Sequence, residues 1–469
     1  VPATQLELRL VRKAQGRFYT PAPIALRLAE LALRPLLDAG TPLQVIDPAC
    51  GDGAFLRAAR AVMPDPSSSV LGVDRDPAAC ETCSKEGHDT LEADALLAAL
   101  PLGFDAVLAN PPYLSVKRAP FDAGERRALT ARYRTARGQF DACALFVERA
   151  LELLHPGGRY ALLLPRAILA NREHEGVRRI LLQEGPPERV VDLGMAFEGV
   201  SVEVVGLIGQ KRSERQLPSP TIALEDFAGR DRGHLSLAQW AELPSLRLPL
   251  QTNDAALELR ARIARSPVTL SQVVSRLGRG IELGQKAPVL KPEPRADRRP
   301  VLRGRDVHAF RCDPPSCFVA PDDVPSRVLK DLALYQVPTK LFVRRVADRL
   351  LAAVDRSQAL ALNTLYCVQP KDGIEADALA CVINSTLATF WWRQSFAGDD
   401  RLFPYVRAEQ LAALPLPSEG LASLAPLGRR AAAGRASQGE VDGAVEDLFE
   451  LDAAQSALVA VSKGHNRFA

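Results

Sequence analysis

Asn110-Pro111-Pro112-Tyr113 packs more chemistry into four residues than any other segment of this sequence. Two prolines remove two backbone donors and fix two φ angles, so the corner is stiff and its carbonyls face outward. The side-chain oxygen of Asn110 and the carbonyl of Pro111 could converge on one amino group. Accepting both hydrogens of that group would push its nitrogen toward tetrahedral geometry and free its lone pair to attack an electrophilic carbon. Tyr113 adds a flat face on which a planar ring can stack. A base inside a duplex would have to be flipped out to reach such a corner. Ordinary strand-ending turns also use Asn and Pro, so the segment takes its meaning from what precedes it.

What precedes it is Asp47-Pro48-Ala49-Cys50-Gly51-Asp52-Gly53, a glycine loop between a strand-like run and a helix-like one. Glycines there let the backbone approach a ligand closely. No Gly-Lys-Ser/Thr follows, so this is not a P-loop, and the spacing is not that of the dinucleotide fingerprint. Some twenty residues on, Asp74 ends an apolar run, where a carboxylate can accept two ribose hydroxyls. Asp94 follows, placed to bond an adenine amino group. Each Asp alone reads as a cap or turn residue; three in order, each after an apolar run, read as a binding site. An acidic loop entry at Asp47 suits a cationic ligand better than a phosphate. S-adenosylmethionine carries a sulfonium and an ammonium and no phosphate, so the charge pattern favours it over a nicotinamide cofactor.

These residues need strand ends to stand on. Val45-Ile46-Asp47, Val70 to Asp74, Phe104 to Ala109, Tyr160 to Leu164, Val190 to Leu193 and Val202 to Ile208 read as strands, with helices over Ala54–Val62 and Phe146–Leu154 among them. The alternation predicts a mainly parallel sheet covered on both faces. After Trp240 prolines break the pattern and charge shifts: Arg260 to Arg311 carries thirteen Lys or Arg against four Asp or Glu. Helical patterning returns around Ala378 to Trp392 and in the Ala-rich stretch from Leu421. We therefore expect a catalytic domain over 1–240, a second domain over 241–420 and a helical tail over 421–469.

Together the motifs resemble the gamma class of amino-methyltransferases, most closely the TaqI-type N6-adenine DNA methyltransferases of restriction-modification systems. The resemblance covers roughly residues 16 to 210. It implies an α/β fold, a Rossmann-like class I methyltransferase sheet joined to a mixed α+β target-recognition domain. It implies S-adenosyl-L-methionine as cofactor and double-stranded DNA as substrate, with base flipping. Gly16-Arg17-Phe18-Tyr19-Thr20-Pro21 is similar to the leading cofactor motif, so Tyr19 and Thr20 are candidate cofactor residues. The loop matches through Asp47, Ala49, Cys50, Gly51 and Gly53, and the acids through Asp74 and Asp94, with neighbours Arg75 and Ala95. Phe146 matches an aromatic that packs on the cofactor adenine. Phe197 matches a second aromatic that holds the flipped base against Tyr113. Asn110, Pro111, Pro112, Tyr113 and Phe197 are thus the candidate catalytic set. Asp47 stands where the family often has Glu. The motif favours adenine and leaves N4 of cytosine open, as it does an RNA or a protein glutamine amide as acceptor.

The basic stretch after Tyr113 (Lys117, Arg118, Arg126, Arg127, Arg132, Arg134, Arg137) suits phosphates or a solvated helix face equally. Arg298 to Val307 resembles a recurring segment of the family's target-recognition domains, as do Asn384-Ser385-Thr386-Leu387 and Phe403-Pro404-Tyr405-Val406. Lys117, Arg118, Arg279, Arg303 and Arg305 are the candidate DNA-binding residues. Trp391 and Trp392 read as core. The sequence has 469 residues, 47% hydrophobic and 25% charged, with a net charge of +3, so any basic site must be local. Eight cysteines in mostly apolar runs read as reduced thiols, and Cys80-Glu-Thr-Cys83 lacks a second half for zinc. No apolar run reaches the roughly 18 residues of a membrane span and no signal peptide is visible. We expect a cytoplasmic, monomeric enzyme, with no metal and no membrane, and with a cognate restriction endonuclease as a partner.

Overall fold

Val45, Ile46, Val70, Val73, Ala106, Val107, Leu108 and Ala109 are all buried, as strands covered on both faces must be. In the computed structural model they form neighbouring strands of one sheet. The structure describes residues 20–38, 40–113, 122–138, 140–197, 202–214, 220–250, 252–284, 287–325, 332–396 and 405–461. They fall into two units, one ending at Asp254 and one starting at Ala255.

The first unit is built on nine strands: β1 (Gln44–Asp47), β2 (Ser69–Asp74), β3 (Asp89–Glu92), β4 (Phe104–Ala109), β5 (Leu154–Pro165), β6 (Pro187–Gly194), β7 (Val204–Gln210), β8 (Thr221–Asp226) and β9 (Asp231–Ser236). Their order is β3-β2-β1-β4-β5-β7-β6-β8-β9, the class I methyltransferase sheet that the resemblance implies, extended by a hairpin. β1 to β5 pair in parallel, while β7 runs antiparallel between β5 and β6. A short connection between β6 and β7 permits no crossover, so the pair must be antiparallel. The sheet is therefore more mixed than the apolar runs suggest. β3 and β9 carry polar sequences, Asp89-Thr-Leu-Glu and Asp231-Arg-Gly-His-Leu-Ser. Edge strands need little apolar signal and benefit from charge, so neither stands out in the sequence.

Alternation assigns the faces. Val45, Ala106, Leu108, Ala161 and Leu163 share a core with α1 (Ala22–Leu37) and α2 (Ala54–Val62). Val107, Leu162 and Leu164, equally buried, point the other way. Three further helices are α3 (Pro77–Lys85), α4 (Ala123–Arg132), opened by an Asp122/Glu125 capping box, and α5 (Ala142–Leu153), which lies on β4 and β5. The change in texture at Trp240 is not the unit's edge. Trp240 Nε1 donates to Leu246 O at 2.7 Å, Arg178 Nη2 to Ser245 O at 3.0 Å, and Leu248 N to Leu169 O at 2.9 Å. These bonds keep the proline-rich stretch in the first unit.

The second unit holds a four-stranded antiparallel sheet in the order Val274–Arg279, Leu365–Pro370, Lys340–Arg344, Ala352–Asp355. Helices Ala376–Asn384 and Thr386–Phe396 pack on it, and Trp391 and Trp392 are buried in that core. Residues read as a separate tail share the same core through Val441, Val445 and Val459. Asp442 even caps the helix at Thr386, accepting from its N and Oγ1, each at 2.8 Å. In the same unit Lys340, fully buried, places Nζ 2.5 Å from Asp355 Oδ2. Removing one partner strands the other charge. Lys340→Ala is expected to lower the unfolding free energy by about 3–5 kcal/mol, read by urea denaturation; a loss below about 1 kcal/mol would contradict this account of the pair.

Candidate functional site

Parallel pairing brings the candidate residues to one edge. Asp47 ends β1 opposite Gly72, Asp74 ends β2 opposite Glu92, and Asn110 directly follows β4. These are the carboxyl ends of adjacent parallel strands, the place where open α/β sheets bind ligands.

The glycine loop is folded onto Asp74. Gly51 N donates to Asp74 Oδ2 at 3.0 Å and Asp76 N to Asp74 Oδ1 at 2.9 Å, and these bonds fix the plane of the carboxylate. Cys50 N reaches across to Val73 O at 2.9 Å. Gly53 caps α2 at φ 81°, where a Cβ would stand 3.0 Å from Cys83 Sγ. Glycine is the residue that tolerates both the angle and the approach. Asp47 is 2% exposed and accepts from Ala49 N at 3.0 Å. Burial, with Asp74 and Asp52 nearby, holds its carboxyl well above the usual aspartate range despite that bond. A positive charge in the loop would reverse this preference, because an opposite charge favours the ionised form. The acceptor set fits a cationic, ribose-bearing ligand such as S-adenosylmethionine, which Asp47 would meet at the charge and Asp74 at the hydroxyls. Cys50 is buried and its thiol pushed upward by desolvation, which makes it packing and not a nucleophile.

Asp94 begins the turn after β3. Its Oδ1 accepts from Leu96 N at 2.9 Å, and Ala95 is buried beside it. Arg75 is exposed. Phe146 is buried on α5. At the end of β4, Asn110 Nδ2 donates to Thr20 Oγ1 at 3.0 Å. Thr20, read from the sequence as a cofactor contact, thus orients the Asn110 amide. Pro111 is buried, and Pro112 and Tyr113 are half-buried. The Tyr113 hydroxyl lies 3.4 Å from Leu163 O, and burial raises its pKa well above that of a free phenol. Tyr113 and Phe197, far apart in sequence, stand with ring centroids 6.2 Å apart and planes tilted by 59°. A flat ring held between them would require the planes to turn toward parallel.

The basic residues divide. Arg132 pairs with Glu152 at 3.1 Å, and Arg134 with Glu148 at 2.8 Å and Glu184 at 2.5 Å. These two build the fold and are withdrawn from the phosphate-facing set. Arg127 and Arg137 are exposed. In the second unit Arg279 is exposed and pairs with Glu282 at 3.0 Å. Arg303 and Arg305 flank Gly304, whose N donates to Thr364 Oγ1 at 2.8 Å; Arg305 is exposed and Arg303 half-buried. Tyr19, Lys117 and Arg118 lie outside the described residues, as do Phe403 and Pro404. Sequence reasoning did not find Tyr133 and Arg149, which hold the Asp94 turn; their partners are backbone carbonyls, which carry no side-chain signature.

Comparisons with known proteins agree with the two halves. Residues 71–197 match the family described as Eco57I restriction-modification methylase, and residues 299–416 the TaqI-like C-terminal specificity domain. Type II methyltransferase M.TthHB8I of Thermus thermophilus is 27% identical over 376 residues, 79% of this chain and 83% of that protein. Type II methyltransferase M.VspI of a Vibrio species is 25% identical over 308 residues, 63% of this chain and 71% of the relative. Among solved structures, the Type IIL restriction-modification enzyme MmeI in complex with DNA aligns with a TM-score of 0.55 at 13% identity, over 97% of this chain and 77% of that one, a likeness of fold. The chain thus carries a restriction-modification methylase domain and a TaqI-like C-terminal specificity domain, as its motifs imply. Among the described residues no helix is long and apolar enough to cross a membrane.

The buried Asp47 makes a prediction about stability. A folded-state pKa raised above the unfolded one contributes stability at low pH that is lost as pH rises through the raised value. Asp47→Asn keeps the acceptor for Ala49 N and removes the charge. The ligand-free variant is expected to melt higher than wild type at pH 8, the gap closing toward pH 4 in thermal scans; identical melting at pH 8 would contradict the assignment.

Proposed function

We propose that this chain transfers the methyl group of S-adenosylmethionine to the exocyclic N6 of adenine in duplex DNA, at a specific sequence and with the target base turned out of the helix. The observation that carries the proposal is the corner after β4. A Thr20-oriented Asn110 stands beside Pro111, with Tyr113 and Phe197 close by, on the strand edge that also bears Asp47 and Asp74.

The chain's own residues do the following. Asp47 lies beside the cofactor's positive charge, Asp74 accepts ribose hydroxyls and Asp94 accepts from its adenine. Bound there, the cofactor supplies an electrophilic methyl carbon. Asn110 Oδ1 and Pro111 O accept the two hydrogens of the target amino group, which turns the nitrogen's lone pair out of the ring plane. Tyr113 and Phe197 hold the base by its faces. One proton leaves the nitrogen once it is methylated. No covalent intermediate with the protein is needed; the work is positioning and preorganised acceptors. The match of residues 299–416 to a specificity domain supports DNA as the substrate, and Arg279, Arg303 and Arg305 are assigned to it. A cognate endonuclease and a monomeric state complete the reading.

Purified protein with labelled cofactor, offered duplex DNA, RNA and a protein extract, separates the acceptor classes. Label in DNA recovered as N6-methyladenine is expected. Label in protein alone overturns the DNA reading, and N4-methylcytosine overturns the choice of base. Asn110→Ala is expected to abolish transfer while cofactor affinity stays within a few-fold; near-normal turnover would remove Asn110 from its role. DNA affinity is expected to fall steeply with salt, by about tenfold or more between 50 and 200 mM, and a flat response in a filter-binding assay would count against the arginine assignments.

A further inference from the structure

The turn after β3 is built unusually. Asp94 O accepts from Leu97 N at 3.0 Å and Ala98 N at 2.8 Å, closing the turn from inside. The next four carbonyls accept from side chains. Arg149 Nε donates to Ala95 O at 2.9 Å and Nη2 to Ala98 O at 3.0 Å. The Tyr133 hydroxyl donates to Leu96 O at 2.7 Å, and Arg132 Nη1 to Leu97 O at 3.2 Å. Glu152 ties the two arginines together, 2.6 Å from Arg149 Nη1 and 3.1 Å from Arg132 Nη2. Arg149 is fully buried and Tyr133 is 4% exposed. A buried guanidinium is costly unless its donors are used, and an apolar side chain would fill the same space without that cost. Arg149 Nε and Nη2, with the Tyr133 hydroxyl, are spent on holding one turn, and that turn carries Asp94.

We propose that Tyr133 and Arg149 are positioning residues that set selectivity for the cofactor's purine. They hold the Asp94–Ala98 turn so that Asp94 accepts from a 6-amino group and rejects a purine bearing a 6-oxo group. The proposal rests on Asp94 binding the cofactor's adenine, as above. Carbonyls left unheld would let the turn relax, and the carboxylate, whose Oδ1 is already oriented by Leu96 N, would lose its fixed direction.

The test measures binding and not turnover. Titration calorimetry compares S-adenosylhomocysteine with its 6-oxo analogue, S-inosylhomocysteine, on the full chain. Wild type is expected to prefer the adenosyl ligand. Tyr133→Phe is expected to bind it a few-fold to tenfold more weakly, about the loss of one hydrogen bond's net contribution, with inosyl binding within twofold. Arg149→Lys, which keeps the charge and fewer donors, is expected to narrow the preference in the same direction. Asp94→Asn is expected to abolish or invert the preference, and adding Tyr133→Phe to it should change neither affinity. If Tyr133→Phe weakens both ligands equally, or neither, the positioning role is overturned and the clamp is structural. Wild type binding both ligands equally overturns the role of Asp94 and the proposal with it. Wild type binding neither sinks the methyltransferase reading itself. Tyr133→Phe keeps ring and packing, so the test stands even if Arg149→Lys does not fold.

Discussion

Parallel hydrogen bonding of β1 to β2 on one side and β4 on the other is the constraint on which the rest of the first unit depends. Parallel strands all end on the same edge, so residues some sixty positions apart in sequence come to lie side by side. Asp47 and Asp74 occupy the last paired positions of their strands and Asn110 the first position beyond β4, where side chains can turn toward a ligand. A shift of register by one residue would turn these groups to the opposite face. Ala106 and Leu108 pack into the core with α1 and α2 while Val107 and Ala109, equally buried, point to the other face, so a shift would disrupt close packing on both faces.

The site is also where the fold gives up stability. A carboxyl at the end of β1 is buried among two other acids, with one backbone donor in compensation. No packing argument favours an acid there, and a neutral acceptor would serve the loop as well. Strain of this kind concentrates where function needs it and is offset elsewhere. Part of the offset lies in the nearby Asp94 turn, whose carbonyls are all satisfied, and in the apolar layer of α1 and α2 behind the loop.

The second unit uses polar groups differently. Lys340 and Asp355 are buried together, and Asp355 also accepts from Ser357 N and Ala359 N. Asp442 caps the helix that begins at Thr386. These contacts join distant segments into one core and leave Arg305 and Arg279 at the surface. Trp392 is buried in the core, where its aromatic surface serves packing and its indole donates to Gln410.

Motifs whose meaning lies in residue type and local spacing were legible in the sequence alone. The glycine loop needs its glycines for backbone angle and approach, the diproline corner is stiff by covalent geometry, and a buried strand must be an apolar run. From those follow the sheet, the acids at its edge and the kind of ligand they suit. Tertiary structure decided what depends on partners far along the chain. It turned Thr20 toward Asn110, drew Arg132 and Arg134 into ion pairs, carried the first unit past Trp240 to Asp254, and folded the last helices into the core of the second unit. It also exposed Tyr133 and Arg149 as holders of the Asp94 turn. A backbone carbonyl belongs to every residue alike, so nothing in a string of side chains marks which carbonyls need a donor; only the folded chain brings the donor to them.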